Sequence, residues 1–355
     1  MIGIILSNNL NTCPYVDKYL DTFNKIGINY ELVLWDRDGS QNKFPANYRV
    51  FDVQNNVDVP KWEKIFGFCR FAWFVYNTIR IRKYEKLIFL TTQIAVMCYP
   101  LTHKKFKRKY IFDFRDLSFE QNSLYRKLVK KIIDNSYFTC MSSPEFAKVY
   151  GIDSYFMAHN FRYKDLAISA SANSFTRRGN GKITLLHIGI SRGEQYNNRL
   201  AEIFGNDERF EIYIVGRGND TESFVQIVSG YSNITVKGTY NNEEKECFIN
   251  KADMLLYYYP CDFNCNRALA NKYYDCLIYK KPLVGNINTY SGHRLQEKGL
   301  GISINFDSNT CADDIYNYYE NLDYNKFINN VTRELDTVLE EDKIYLNKIQ
   351  EFANQ

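Results

Sequence analysis

The chain has 355 residues, enough for about two domains of ordinary size. Hydrophobic residues make up 45% of it and charged residues 24%, a balance that is typical of a folded globular protein and excludes an intrinsically disordered one. The longest apolar stretch, Ile65 to Tyr76, contains Arg70 and is shorter than the ~20 residues that a membrane-spanning helix needs. No basic segment precedes the apolar residues 2–6, so the sequence predicts no secretory signal and favours a cytoplasmic protein or one held at a membrane surface.

The first half of the chain alternates short apolar strands with amphipathic helices, a pattern that predicts a parallel sheet with right-handed crossovers. The predicted strands are Ile2–Leu6, Tyr30–Leu34, Leu87–Leu90, Tyr110–Phe114, Tyr137–Met141 and Ser154–Ala158, and the predicted helices are Tyr15–Ile26, Trp62–Ile81, Ser123–Ile133 and a short one from Pro144. The small and polar residues 168–181 then interrupt the alternation and indicate a linker or an exposed loop.

The alternation restarts after that break. The predicted strands are Ile183–Ile188, Glu211–Val215, Ile234–Val236, Met254–Tyr258, Pro282–Val284 and Gly301–Ile304, and the predicted helices are Tyr196–Phe204, Glu222–Val228, Glu243–Asn250, Ala268–Tyr279 and the segment from Tyr324 onward. The sequence therefore predicts an α/β protein with two Rossmann-like domains, residues 1–165 and 182–325, joined by a linker at 166–181 and followed by helices at 326–355.

Positive charge is concentrated in the first half. From Lys61 to Asn135 the sequence has seventeen Lys and Arg against six Asp and Glu, a local net charge of +11, whereas the whole chain carries +4 and the remainder therefore −7. The basic cluster from His103 to Lys109 and the aromatic residues of the preceding predicted helix suit an anionic membrane surface. A nucleic-acid backbone as partner, or a merely solvated charged loop, is an alternative interpretation.

The most specific patterns lie in the second half. The predicted strand that begins at Ile212 ends in Gly-x-Gly, where Gly216 lets the backbone approach a nucleotide and the next helix N-terminus favours negative charge. Residues 271–277 read Asn-Lys-Tyr-Tyr-Asp-Cys-Leu, and Lys-Pro-Leu-Val follows at 281–284. An acid in the first turns of a helix can accept hydrogen bonds from ribose hydroxyls, and backbone N–H groups at the helix start can face a diphosphate.

The stretch 271–284 resembles the donor-domain motif of the retaining glycosyltransferases of family 4, which have the GT-B fold. The resemblance implies that a nucleotide-linked sugar contacts Asn271, Lys272, Tyr274 and Asp275, with Asp275 on the ribose. GT-B enzymes hold their donor without a bound metal, so no metal and no cofactor beyond the nucleotide-sugar co-substrate is expected.

An earlier segment extends the resemblance. Residues 186–193, Leu-His-Ile-Gly-Ile-Ser-Arg-Gly, are similar to the segment in which the family holds the donor phosphates with a basic residue. This implies donor-binding roles for Gly189 and Arg192, and the loop with Gly216 and Arg217 joins them in the predicted donor site.

The first half carries a second match. Residues 110–120 resemble the Asp-x-Arg-Asp-Leu-x-x-Glu stretch of capsule and O-antigen transferases in the same family. The resemblance implies catalytic roles for Arg115, Asp116 and Glu120, with Asp116 accepting or orienting the proton of the acceptor hydroxyl. A buried pair between Asp113 and Arg115 that only fixes the loop is the alternative.

Two departures from the family pattern concern the sugar and the acceptor. Arg267 stands where commoner members have the first acid of a Glu-x7-Glu pair, close to the transferred sugar. The family's Gly-Gly turn after the first strand is absent, and Asn9 and Asn11 occupy that loop, where they can still bind phosphate or sugar. Together with His103 these residues are the predicted sugar or acceptor contacts.

The sequence thus predicts a glycosyltransferase whose two Rossmann-like domains face each other across a cleft, with the last helices packing back toward the first domain. Its substrates would be a UDP- or GDP-linked sugar and a glycan or lipid-diphosphate acceptor of bacterial capsule or O-antigen synthesis, with retention of anomeric configuration. Contact with the inner membrane surface is expected, and binding of nucleic acid is not. A sugar-nucleotide epimerase and a non-catalytic GT-B-like binding protein are the alternatives.

Metal sites have weaker support. The Asp-x-Asp spacing of Asp36 and Asp38 is that of metal-dependent sugar transferases of a different fold, but it precedes Gly39 and is also typical of an ordinary turn. Cys261 and Cys265 are the only close pair among nine irregularly spaced cysteines, and without a second pair they are weak as a zinc site. Free thiols in a reducing compartment explain the cysteines better.

Overall fold

The computed structural model describes residues 1–10, 13–37, 39, 43–54, 61–171 and 181–355. Asn11, Asp38 and residues 172–180 of the predicted linker lie outside these described residues. The chain divides into two compact units. Unit 1 consists of Met1–Arg162 and Leu339–Gln355, and unit 2 consists of Tyr163–Val338.

Unit 1 is built on one parallel sheet. Its strands are β1 Ile2–Leu6, β2 Tyr30–Trp35, β3 Tyr48–Phe51, β4 Lys86–Phe89, β5 Tyr110–Phe114, β6 Phe138–Met141 and β7 Phe156–Met157. Its helices are α1 Val16–Ile26, α2 Lys61–Arg82, α3 Thr92–Met97, α4 Tyr99–Lys105, α5 Ser123–Asn135 and α6 Pro144–Tyr150. In the described residues the seven strands have the order β3-β2-β1-β4-β5-β6-β7, and every neighbouring pair is parallel.

Unit 2 repeats this plan. Its helices and strands are α7 Leu166–Ser171, β8 Ile183–Ile188, α8 Glu194–Phe204, β9 Phe210–Val215, α9 Glu222–Val228, β10 Ile234–Lys237, α10 Asn242–Lys251, β11 Met254–Tyr257, α11 Asn271–Tyr279, β12 Leu283–Asn286, α12 Tyr290–Glu297, β13 Gly301–Ile304 and α13 Cys311–Glu320. The last helix, α14 Tyr324–Asn354, begins in unit 2 and ends in unit 1. The described strands of unit 2 are all parallel, in the order β10-β9-β8-β11-β12-β13.

The predicted α/β class is confirmed, since each unit is a parallel sheet whose strands are connected through helices. Five helices and one strand were not predicted, namely β3, α3, α4, α12, α13 and α7, which occupies the first part of the predicted linker. An interior strand of each sheet shows why the sequence could predict the fold class. All residues of β1 and β8 are buried, because helices cover both faces of a parallel sheet and its strands are therefore continuously apolar.

The core of unit 1 includes the carboxyl-terminal part of α14. Tyr345, Ile349 and Phe352 are buried in the same apolar cluster as Tyr19 and Phe23 of α1. The Tyr19 and Tyr345 rings meet edge to face with their centres 6.0 Å apart, a favourable arrangement for aromatic pairs. The end of the chain is therefore part of the packing of unit 1.

A buried carboxylate ties β2 to the end of α2. Glu31 is paired with the guanidinium of Arg82, accepts from Arg49 at 2.8 Å and accepts from the Tyr84 hydroxyl at 2.7 Å. Burial by itself would raise the pKa of Glu31, but these three partners outweigh burial and lower the pKa from 4.5 to about 2. The charged form of Glu31 is therefore the one that stabilises the fold.

We expect Glu31→Gln to lower the free energy of unfolding at neutral pH by about 2 kcal/mol, the usual contribution of hydrogen bonds to a charged group. Because the pKa of Glu31 is lower in the folded protein, its contribution is complete above pH 4.5 and is lost as the pH falls through about 2. Urea unfolding midpoints measured from neutral to acidic pH should therefore converge for parent and variant. Glu85, whose exposed side chain pairs with the amino terminus, provides the control Glu85→Gln, and equal midpoints for both variants would contradict the assignment.

Candidate functional site

The loops after β8 and β11 lie side by side at one edge of the unit 2 sheet. Both strands are parallel neighbours, and from β8 the chain continues to β9 on one side while β11 lies on the other. Successive connections therefore diverge between β8 and β11, beyond their carboxyl ends. In open parallel sheets this switch point is where a crevice forms and ligands bind.

Glycines bring the backbones of two loops into contact at this edge. Gly189 and Gly216 have φ angles of +143° and +131°, which side-chain-bearing residues rarely adopt. A Cβ atom on Gly216 would lie 2.0 Å from the carbonyl oxygen of Gly189. The side-chain amide of Asn219 donates to both glycine carbonyl oxygens, at 2.9 and 3.1 Å, and thereby holds the two turns together.

We expect Gly216→Ala to lower the free energy of unfolding by about 1–3 kcal/mol, because alanine is strained at this φ and its methyl group clashes with a backbone oxygen. The measurement is the denaturant midpoint with an unchanged slope. Gly230→Ala is the matched control, because no atom lies within 4 Å of the added carbon there and its φ is not in the positive range. Equal midpoints for the two variants would show that the turn tolerates a side chain.

The helices that start at the switch point lack a side-chain N-cap bond, a feature that they share with α13 but not with α9, α10 or α12. The N-cap side chains of Thr221, Asn241 and Thr289 accept hydrogen bonds from the first turns of α9, α10 and α12. The N-cap residues of α8 and α11 are Gly193 and Ala270, which make no such side-chain bond. Helix starts with this arrangement favour an anion at the end of the helix.

Charged side chains gather at the start of α11. Lys272 Nζ lies 3.1 Å from one carboxylate oxygen of Asp275, and Lys245 Nζ of α10 lies 2.8 Å from the other. Burial would lower the pKa of Lys272, but Asp275 and the hydroxyls of Tyr259 and Tyr240 outweigh burial and raise it. Burial would likewise raise the pKa of Asp275, but the two lysines lower it. Lys272 and Asp275 are therefore both charged at neutral pH, and Lys245 places a second lysine on the same carboxylate.

Arg192 adds a further positive charge from the loop after β8. Its side chain is exposed, and its guanidinium lies 5.3 Å from the ring centre of Tyr259, within the range of a cation–π contact. The Tyr259 hydroxyl is close enough to Gly189 that a Cβ there would approach it to 2.9 Å. Tyr259 also packs edge to face on His187, whose pKa is lowered to about 4 by burial and by Lys272, so His187 is neutral.

These contacts bring together five of the residues predicted to bind the donor: Gly189, Arg192, Gly216, Lys272 and Asp275. Asn271 is exposed at the first position of α11, and Arg217 is exposed in the loop after β9. Tyr274, predicted as a donor contact, is buried, and its ring packs on Tyr273 with ring centres 6.0 Å apart. Lys272 and Asp275 are also largely buried, at 7% and 5% exposure, so little of either side chain reaches solvent.

Arg267 folds back on its own loop. Its guanidinium donates to the carbonyl oxygen of Phe263 at 3.0 Å and lies 4.2 Å from the centre of the Phe263 ring. Tyr259, Tyr240, Lys245 and His187 were not predicted as site residues. Tyr259, Tyr240 and His187 lie at or just beyond the ends of β11, β10 and β8, and that position was the available signal, whereas Lys245 lies in the first turn of α10.

In unit 1 the three predicted catalytic residues differ in exposure, since Arg115 and Glu120 are buried and Asp116 is exposed. Arg115 Nε lies 2.6 Å from a carboxylate oxygen of Asp113, and both side chains are buried. Arg115 also donates to the carbonyl oxygen of Ala158 at 2.7 Å and lies over the Tyr15 ring. This placement favours the alternative in which the pair fixes the loop after β5.

Glu120 is fully buried, accepts from the backbone of Ser118 and accepts from the Tyr150 hydroxyl at 3.0 Å. Burial raises its pKa. Its oxygens are engaged inside the protein, which favours a structural role. Asp116, in contrast, is exposed directly after the carboxyl end of β5 and stays the predicted catalytic residue of this loop.

The predicted sugar and acceptor contacts of unit 1 are not brought together. Asn9, after the carboxyl end of β1, accepts from the backbone N–H of Arg37 at 3.0 Å. His103 lies in the last turn of α4, which leads to the amino end of β5, and its Nδ1 is 3.2 Å from the Tyr99 hydroxyl. The position of His103 at the amino end of that strand separates it from Asp116 at the carboxyl end. Asn11 lies outside the described residues.

In the described part of the chain no three His, Cys, Asp or Glu side chains are grouped so that they could hold a metal ion. Of the helices described, none combines the length and the hydropathy that crossing a bilayer requires.

No protein-family model matches the sequence, and no curated protein matches it. Solved structures do match over the whole chain. A sucrose-phosphate synthase from Thermosynechococcus elongatus superposes with a TM-score of 0.71 at 11% identity, covering 100% of this chain and 99% of that one. The Anabaena protein HepE, in complex with UDP and glucose, gives 0.62 at 11% identity over 99% and 100% of the two chains. WaaG, a glycosyltransferase involved in lipopolysaccharide biosynthesis, gives 0.57 at 10% identity over 100% and 98%.

The chain has the GT-B fold. The coverage of both chains is nearly complete in each comparison, so the similarity extends over both units of this chain. This confirms the fold predicted from the resemblance of residues 271–284 and 186–193. At such low identity the similarity concerns the GT-B fold alone, and function has to be argued from the site.

Proposed function

We propose that the protein is a glycosyltransferase that moves a sugar from a nucleotide diphosphate donor to an acceptor. The observation that carries the proposal is the positively charged, glycine-lined edge between β8 and β11 in a chain of the GT-B fold. Two of the solved structures that resemble this chain contain a uridine diphosphate compound. HepE is in complex with UDP and glucose, and an Escherichia coli trehalose-6-phosphate protein is bound with UDP-2-fluoro glucose. The latter superposes with a TM-score of 0.67 at 9% identity.

The donor diphosphate would lie against Arg192, Lys272 and the starts of α8 and α11. Cationic side chains and helix N-termini are the groups that bind phosphate in proteins. Asp275 would accept hydrogen bonds from the ribose hydroxyls, since each carboxylate oxygen can accept more than the single lysine bond described. Gly189, Gly216, Arg217 and Asn271 would line the same ligand.

Electrostatic stabilisation of the departing nucleotide diphosphate would supply most of the catalysis. Negative charge grows on that leaving group as the bond to the sugar breaks, and donors already oriented toward it lower the barrier without reorganising. In the proposed acceptor domain, residues 1–165, Asp116 would accept or orient the proton of the attacking hydroxyl. The donor domain would be residues 182–325, with residues 326–355 following it.

The finer parts of the proposal follow from the family resemblance. They are retention of anomeric configuration, a UDP- or GDP-linked donor, and a glycan or lipid-diphosphate acceptor of bacterial capsule or O-antigen synthesis made on the cytoplasmic side of the inner membrane. Arg267, in place of the family's acid near the sugar, would then alter the choice of sugar. No nucleic acid is required by this reaction.

The test is to incubate the purified protein with UDP- and GDP-sugars, with and without a lipid-diphosphate-linked sugar acceptor, and to follow nucleotide release and product. Acceptor-dependent release of one nucleotide, with a product whose anomeric configuration is read by NMR, is the expected result. Conversion of the nucleotide sugar to an epimer without acceptor would identify the epimerase instead. Binding of nucleotide with no turnover on any acceptor would favour the non-catalytic alternative.

A further inference from the structure

Helix α2 exposes an apolar, largely aromatic stripe on its outer side. Trp62, Phe66 and Trp73 are 68%, 62% and 65% exposed, and Ile65 beside them is 59% exposed. At about 100° of rotation per residue, positions 62, 66 and 73 fall within about 40° of one another around the helix. Large apolar side chains scattered singly on a surface are ordinary, but a contiguous aromatic stripe marks an interaction site.

This stripe is not needed to hold α2 on the sheet. The opposite side of the helix supplies that packing, because Phe71, Val75 and Ile79 are buried and Phe71 stacks on Trp35 of β2 with ring centres 5.4 Å apart. A helix that is apolar on both sides is normally buried on both. In the described structure only the inner side of α2 is covered.

Cations flank the stripe. Arg70 and Arg80 are exposed, and the Arg80 guanidinium lies 5.8 Å from the ring of Tyr76, which in turn stacks on Trp73. The sequence of α2 carries five Lys and Arg, at 61, 64, 70, 80 and 82, against the single acid Glu63. The segment from Lys61 to Asn135, with its net charge of +11, also contains the exposed basic residues 103–105 and 107–109.

We infer that the outer side of α2 is a membrane-binding surface that lies in the plane of an anionic lipid bilayer. Tryptophan and tyrosine rings prefer the boundary between lipid headgroups and acyl chains, and Lys and Arg beside them are attracted to anionic headgroups. The charge favours an anionic bilayer over a symmetric pairing of two copies of this chain, because the basic α2 surfaces of two copies would repel each other. The inference goes beyond sugar transfer and does not depend on it.

The protein's three tryptophans make a direct readout possible. Trp35 is fully buried, so a change of indole fluorescence on adding vesicles reports on Trp62 and Trp73. The probe is a vesicle of phosphatidylcholine, alone or mixed with phosphatidylglycerol. We expect the protein to float with the mixed vesicles, to shift its fluorescence to shorter wavelength, and to do neither with phosphatidylcholine alone or at high salt.

Three variants test which residues are responsible. Trp62→Ser/Phe66→Ser/Trp73→Ser should weaken binding to the mixed vesicles about tenfold or more, since it removes the apolar contact area. Arg70→Gln/Arg80→Gln should weaken the same binding and reduce its salt dependence. Ile344→Ser, at an exposed apolar position of α14, is the matched control and should bind like the parent. The substituted side chains are exposed, and thermal unfolding checks that each variant is folded.

Several outcomes would overturn the inference. The parent could stay in solution with both kinds of vesicle, or the aromatic variant could bind as tightly as the parent. Light scattering could show that the parent is a dimer which the aromatic variant dissociates, and the stripe would then be an interface between copies. Nucleotide release from a soluble acceptor is measured separately, so a failure of the proposed transfer reaction would not be mistaken for a failure of membrane binding.

Discussion

Arg192→Gln is expected to lower the rate of sugar transfer about a hundredfold, the effect of removing one preorganised donor from a developing oxyanion. Arg192 is exposed in the loop after β8, and its contact with Tyr259 aims the guanidinium at the edge where the diphosphate would lie. The loss should appear in kcat as well as in kcat/KM, because the charge on the leaving group is largest in the transition state. The measurement is the steady-state rate of nucleotide release with saturating acceptor.

The controls separate catalysis from folding. The free energy of unfolding of Arg192→Gln should stay within about 0.5 kcal/mol of the parent, as for most exposed positions. Arg192→Lys, which keeps the charge but loses the planar fork, should recover part of the rate. Lys251→Gln removes a charge from the exposed end of α10 and should leave the rate unchanged. A parent-like rate for Arg192→Gln would remove Arg192 from the proposed site.

Asp342→Asn is expected to lower the free energy of unfolding by about 3–5 kcal/mol, the usual cost of leaving one partner of a buried ion pair without the other charge. Lys18 of α1 and Asp342 of α14 form that pair, at 2% and 0% exposure. Lys18 Nζ also donates to the carbonyl oxygen of His159 at 2.9 Å and lies 4.0 Å from the centre of the Phe161 ring. The pair therefore holds the last helix on unit 1.

The loss of stability in Asp342→Asn depends on pH through the pKa of Lys18. Burial lowers the pKa of Lys18 to about 8 although Asp342 opposes the shift, so without that carboxylate the pKa falls further. The unfolded chain keeps the proton to about pH 10.4 and therefore binds more protons, so stability rises with pH above the folded-state pKa. That rise begins at a lower pH in Asp342→Asn than in the parent. The difference in the free energy of unfolding between the two proteins should therefore narrow toward pH 8.

The matched control replaces both partners. Lys18→Met/Asp342→Leu removes the two charges together and should unfold at nearly the parent's denaturant concentration, since an apolar pair of similar size often replaces a buried ion pair without loss. If the double variant were as unstable as Asp342→Asn, the loss in free energy of unfolding would come from altered packing and not from the unpaired charge.

For four strands the predicted first and last residues are the observed ones. Ile2–Leu6, Tyr110–Phe114, Ile183–Ile188 and Gly301–Ile304 are β1, β5, β8 and β13 as observed. Three of these four are buried along their whole length, or nearly so, and a strand buried on both faces appears in the sequence as an unbroken apolar run. That signal is local and needs no knowledge of what packs on the strand.

The helices and the strand that were not predicted lack an unbroken apolar run. Strand β3, at the edge of its sheet, is only half buried, so its residues need not be apolar. Helix α12 contains Ser, Gly, His and Arg and is started by the Thr289 side chain, which accepts from the Gly292 N–H. Helix α13 begins with Cys-Ala-Asp-Asp and buries only part of its surface. Contacts made by neighbouring segments decide these structures.

The candidate site shows the same division. The glycine turns at 189 and 216 and the charged start of α11 were found in the sequence because each is a local motif. Tyr259, Tyr240 and Lys245 come from other loops and helices and reach Lys272 or Asp275 only through the fold.

The predicted catalytic residues Arg115 and Glu120 show the opposite case. The local motif indicated catalytic roles for them, whereas in the structure Asp113 and the Tyr150 hydroxyl engage them in the interior. Sequence shows that a charged side chain is present, but whether it faces solvent or a buried partner depends on residues far away in the chain.

The sequence alone therefore determined two parallel α/β units, most of their strands and the glycine and basic motifs of one loop edge, because burial on both faces and turn geometry act over a few neighbouring residues. The tertiary structure alone decided the order of the strands, the pairing of Lys18 with Asp342 and the exposure of the α2 stripe. These features rest on contacts between residues that are distant in the chain, and a local pattern of residue types does not specify which distant partner each side chain will meet.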